Sequence, residues 1–118
     1  MIKLNPRYKS VKTFLNQVFG YINSGNFEII TRDKNRAFAQ KYGLRKEHLI
    51  SIVKKLHSGL KHEGPMEDND VTFGYGTVYV FYINQEIDGE NVPIYIKLKI
   101  PDDKERVLIL SIHEEERQ

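Results

Sequence analysis

The chain has no cysteine and no tryptophan. Without cysteine it can build neither a disulfide framework nor a thiolate-held zinc site, which suits a reducing compartment. It also lacks any apolar run approaching the roughly 20 residues that cross a bilayer. Its opening stretch, MIKLNPRYKSVK, lacks the apolar core of a secretory signal. We therefore expect a cytoplasmic protein with no membrane partner. Several chemical motifs are missing too. There is no GxxxxGK[ST] phosphate loop, no GxSxG nucleophile turn, and no HxxxH or HExxH metal spacing. We expect no metal and no cofactor. His57 and His62 are five residues apart, and acids follow His62 and His113, but neither grouping has ligand spacing.

What is present describes a folded domain. The 118 residues suit one domain with one core, spanning 1–118. Seven tyrosines and six phenylalanines argue against disorder. Net charge is +2, too mild to name a partner. Its distribution says more: residues 1–62 carry most of the lysines and arginines, and 63–90 are acidic. A basic side could meet a polyanion. A mixed, solvated surface is the plainer reading of charge alone.

Periodicity places the elements. Val11, Phe14, Leu15, Val18 and Ile22 recur at helical spacing behind Ser10, a good N-cap, and Gly25 closes that helix. Residues 27–31 read as a short strand. A second helix runs from about Asp33 to Gly43. A third has the buried stripe Leu49, Ile52, Val53 and Leu56 and stops at Gly59. Residues 61–77 lack periodicity and read as one long loop, a feature that is often functional. Three strands follow. Asp88-Gly89 is a strong hairpin signal, and Pro101-Asp102-Asp103 marks the next turn. The pattern predicts an α+β domain with three helices on one face of an antiparallel sheet, its C-terminal part a three-strand meander.

Alternation then assigns faces. Ile94, Ile96, Leu98 and Ile100 should face the helices, leaving Tyr95, Lys97 and Lys99 outward. In the last strand Leu108, Leu110 and Ile112 form the more hydrophobic set, so Ser111 and His113 should join the outward face. Antiparallel pairing brings Tyr95 and His113 close together. Lysines neutralise phosphates, an exposed tyrosine can stack a base, and histidine moves protons near neutrality. A solvated sheet face carrying Tyr and Lys is equally ordinary. On that reading the same face docks a protein partner, as a non-catalytic binding module.

The motifs IYIKLKI, LILSIHEEER and EGPMEDND resemble those of the MqsR-like toxins of bacterial type II toxin–antitoxin systems, related in fold to the RelE-like ribonucleases. The order of elements is similar as well. The resemblance implies a RelE-like fold and a small, metal-independent endoribonuclease that cuts mRNA and is held inactive by a cognate antitoxin. It places the family's sheet tyrosine on Tyr95 and its terminal site residue on His113. The family's loop lysine falls near Lys61, His62 or Glu63. Ile112 replaces the usual phenylalanine, and the Trp-Gln pair of some members is absent. The expected catalytic residues are His113, Tyr95, Lys97, His62 and Glu63, with the two histidines unranked. Lys61, Lys99 and Arg117 are the expected RNA-binding cations.

Overall fold

The computed structural model describes residues 10–68 and 71–116. In chain order the elements are α1 (Val11–Asn23), β1 (Phe27–Ile29), α2 (Asp33–Tyr42), α3 (Lys46–Val53), β2 (His62–Glu67), β3 (Gly76–Ile87), β4 (Glu90–Pro101) and β5 (Val107–Glu114). One 3-10 turn lies at Val71–Phe73. The strands form a single sheet in the order β1-β5-β4-β3-β2. The α+β class agrees with the sequence pattern. The sheet, however, is mixed, because β1 runs parallel to β5 with Phe27 opposite Val107. A three-residue strand offers no alternation to read, and its partner lies at the far end of the chain.

The helices form where propensity and capping agree. The Ser10 hydroxyl accepts from the Thr13 N–H, and α1 buries Phe14, Leu15, Val18 and Ile22. Gly43 takes the left-handed conformation that ends α2. α3 ends at Val53, short of the expected Gly59, although Leu56 in the following turn is still buried. These apolar stripes meet Phe81, Ile96, Leu98, Ile109 and Ile112 from the sheet in one core. No helix among the described residues is long and apolar enough to cross a membrane.

Residues 61–77 are not one loop. His62–Glu67 forms edge strand β2, paired antiparallel with β3 and interrupted by a bulge between Glu63 and Met66. The bulge holds the cis Gly64–Pro65 bond. Proline is tolerated on a sheet edge because no ladder partner needs its missing N–H. Gly64 lies so close to the Tyr79 ring and the Val78 carbonyl that a Cβ would sit 2.8 Å from each. Gly-Pro reads as a loop in the sequence, and pairing to β3 overrides that local signal.

The long β3–β4 hairpin turns at Asp88-Gly89, both with positive φ, as a two-residue primed turn requires. The β4–β5 ladder carries the decisive irregularity. Lys97 faces Ser111, but Leu98 faces Ile109, so Leu110 is an extra residue. On its other edge β5 pairs with β1 only as far as Ile109, and beyond that point Asn35 of α2 meets the exposed main chain. Its amide donates to the Leu110 and Ile30 carbonyls, and its oxygen accepts from the Ile112 N–H at 2.9 Å.

The bulge changes which residues share a face. Val107 and Ile109 join the helix-side core, together with Ile112. Leu108 and Leu110 turn to the opposite side and pack with Ile30 and Phe73 in a second, smaller cluster. Strict alternation predicts Leu110 beside Ile112, and this extra residue is why it does not sit there.

Candidate functional site

The second face of the sheet is therefore divided. Near the 3-10 turn it is covered, and the Lys99 side chain there is fully buried. Its ammonium pairs with Asp68 at 3.0 Å and donates to the Gly74 carbonyl. Lys99 is thus an internal anchor for the segment leading into β3, and the expectation that it is a solvent-facing RNA contact is overturned. Its strand parity is right, but chain packs over it.

The other half of the face stays open. There the register aligns Tyr82 with Tyr95 and Tyr95 with His113, and alongside them Val80, Lys97 and Ser111. The Tyr95 and His113 rings stack at 5.3 Å with 22° between their planes. Tyr82 meets Tyr95 edge-on at 5.7 Å. This row forms part of an open cleft of about 630 Å³, completed by Arg32, Asp33, Lys34 and Asn35 at the start of α2 and by Glu115 and Glu116. The volume suits one nucleotide-sized ligand.

β2 supplies the outer edge of the row. The Tyr82 hydroxyl donates to Glu63 at 2.8 Å, and the Lys61 ammonium lies 4.6 Å from the Tyr82 ring centre. Glu63 and Lys61 therefore adjoin the cleft through Tyr82. His62 does not, because successive strand residues point to opposite faces. Its ring packs near Phe81 and Tyr79 on the helix side, and its Nδ1 lies 2.7 Å from the Leu60 carbonyl. The expectation that His62 shares a site with His113 is thereby corrected. Arg117 lies outside the described residues.

Protonation follows from these contacts. His113 Nδ1 is 2.8 Å from the Glu114 carbonyl oxygen. A carbonyl only accepts, so Nδ1 carries the proton and the neutral ring keeps its lone pair on Nε2. Burial, and then the hydrogen bond to the Glu63 carboxylate, push the Tyr82 hydroxyl up to about 12. Burial and the Glu63 charge also raise Tyr95. Both tyrosines are therefore phenols at neutral pH, able to donate a proton but unsuited to accepting one. Among the described residues, no group of three or more His, Asp or Glu side chains is placed to hold a metal ion.

The end of β5 and the residues after it are strapped to α2. Lys41 and Tyr42 both bond the Glu114 carboxylate, and Lys34 pairs with Glu116 at 2.7 Å. The Lys41 and Tyr42 hydrogen bonds hold Glu114 below its ordinary value of 4.5. A carboxyl depressed in the folded state stabilises it above the unfolded value and loses that contribution as pH falls through the folded one. The stability of the wild type should therefore decline more steeply below pH 4.5 than that of Glu114→Gln. Denaturant melts at stepped pH measure this, and parallel curves would show that the latch contributes nothing.

Tyr82, Arg32, Lys34 and Glu115 line the cleft in addition to the residues expected from the sequence. Tyr82 was readable, since it lies across the hairpin from Tyr95 once the Asp88-Gly89 turn is assigned. Arg32 and Lys34 reach the cleft from the start of α2, which Asn35 ties to β5, and nothing local in the sequence signals that. No family model matches the chain, and neither a curated protein nor a solved structure matches it.

Proposed function

We propose that the chain is a metal-independent endoribonuclease of RelE-like fold, an MqsR-like cytoplasmic toxin that cleaves single-stranded mRNA and is restrained by a cognate antitoxin. The observation that carries this reading is the Tyr95–His113 stack on an open sheet face, with Lys97 beside it and Nδ1 of His113 fixed by the Glu114 carbonyl. In the reaction a ribose 2′-oxygen bonds to the adjacent phosphorus, the bond to the 5′-oxygen breaks, and a 2′,3′-cyclic phosphate and a 5′-hydroxyl remain. His113 Nε2 takes the 2′ proton. Tyr95, which can only donate, protonates the leaving oxygen or holds a base against its ring. Lys97 and Arg32 hold the charge that builds on the phosphorane.

The test is direct. Purified protein incubated with long single-stranded RNA in EDTA should yield discrete fragments with those two ends. Intact RNA across several sequences and pH values would refute the enzyme. One observation favours a second reading, a binding module for a protein partner: the cleft lines up three cations, Arg32, Lys34 and Lys97, with three acids, Asp33, Glu115 and Glu116. Such balance also suits a protein surface. Intact RNA in that assay is the outcome that reading expects.

A further inference from the structure

The balance of charge in the cleft conceals an asymmetry of pairing. Asp33 is taken by Arg36 at 2.7 Å, and Glu116 by Lys34. The side chains of Arg32, Lys97 and Glu115 have no hydrogen-bond or ion-pair partner among the described residues. Two unpaired cations and one unpaired carboxylate thus line a space the size of a nucleotide, beside a stacked pair of rings. Glu115 is on this side for a reason of parity, since it lies two residues beyond His113, and its N–H still bonds the Pro93 carbonyl of β4. Its carboxylate is near enough to the Tyr82 hydroxyl to help raise it.

We infer that the cleft is a guanine-nucleotide subsite, in which Glu115 reads the base and Arg32 and Lys97 hold its phosphate. The inference rests on the ribonuclease reading for its setting, and on the pairing of these three side chains for its chemistry. A carboxylate only accepts hydrogen bonds. It is satisfied by two adjacent N–H donors, which it takes bidentately. Among the four RNA bases only guanine offers such a pair, N1–H beside the N2 amino group. Adenine and cytosine set a ring acceptor beside their single amino group, and uracil flanks its N3–H with two carbonyls. For those three bases a carboxylate oxygen would face a lone pair. Tyr95 and His113 supply the ring surface that any base can use, so stacking provides affinity and Glu115 provides choice.

Three mononucleotides separate these contributions: guanosine, inosine and adenosine 5′-monophosphate, titrated into the protein by NMR or calorimetry. Guanosine monophosphate should bind about 10- to 100-fold more tightly than adenosine monophosphate, the range for one good bidentate base contact. Inosine monophosphate, which lacks the N2 amino group, should fall between them. Glu115→Gln sits at a half-exposed position and should remove the preference while leaving phosphate-dependent binding in place. Equal affinity for the three nucleotides, or a preference that survives in Glu115→Gln, would overturn the guanine subsite. If RNA were still cleaved in EDTA, that result would leave the ribonuclease reading standing. A guanine preference without RNA cleavage would uphold the subsite and remove the enzyme. Failure to bind any nucleotide would overturn the subsite, and the ribonuclease reading would stand or fall on RNA cleavage in EDTA alone.

Discussion

Replacing His113 with alanine should lower RNA turnover by about 10²–10⁴-fold and leave RNA affinity nearly unchanged. A group that moves a proton acts mainly in the transition state, so its loss appears in kcat rather than in ground-state binding. The geometry makes His113 the group to test. Its Nδ1 is fixed at the Glu114 carbonyl, its ring is held against Tyr95, and Nε2 keeps the lone pair. Lys97→Ala provides the contrast. Removing one phosphate contact should weaken RNA binding and flatten its salt dependence by about one unit of logarithmic slope. Single-turnover cleavage and salt-stepped binding measure the two effects. A His113→Ala protein that cleaves at the wild-type rate would remove the histidine from the chemistry.

The second large effect is on stability. Asn35→Ala should destabilise the fold by about 2–6 kcal/mol, because it takes the side-chain partner from the Leu110 carbonyl and the Ile112 N–H in the interior, each worth about 1–3 kcal/mol, while the Ile30 carbonyl keeps the Arg32 N–H. The side chain is 4% exposed, and all three of its partners are main-chain groups beside the Leu110 bulge or at the end of β1. Asn35→Asp should do no better. It keeps the acceptor facing Ile112 but sets a carboxylate oxygen against two carbonyls. Urea unfolding followed by circular dichroism measures the loss. A loss under about 1 kcal/mol would mean that water replaces the amide without cost. The same substitution should depress RNA cleavage in the folded fraction, because Asn35 ties the start of α2, which carries Arg32 and Lys34, to β5.

Much of this architecture was written locally. The α1 stripe behind Ser10, the Gly43 stop and the Asp88-Gly89 turn are short-range signals, and each element lies where its signal puts it. The alternation of β4 places Tyr95 and Lys97 together, and the neighbouring strand brings Ser111 and His113 to the same face. The misreadings share a cause. Lys99 has the parity of Lys97 but lies beneath the segment that packs over that end of the sheet. Leu110 is turned by a bulge that no hydrophobic pattern reveals. His62 is equivalent to His113 only if 61–77 is a loop, since a loop has no faces, and on β2 it points to the helix side.

The sequence by itself determined the α+β class, the helix stripes, the long hairpin and the row from Tyr95 to His113. These depend on periods of 3.6 and 2 and on two-residue turns, all properties of neighbouring residues. Only the tertiary structure decided that β1 runs parallel to β5, that β2 is an edge strand, and that Lys99 is interior. It alone brought Arg32 and Lys34 from the start of α2 to the cleft beside Tyr95 and His113. Those outcomes depend on contacts between segments far apart in the chain, where a strand edge or a buried carbonyl takes whichever partner the packed core brings within reach.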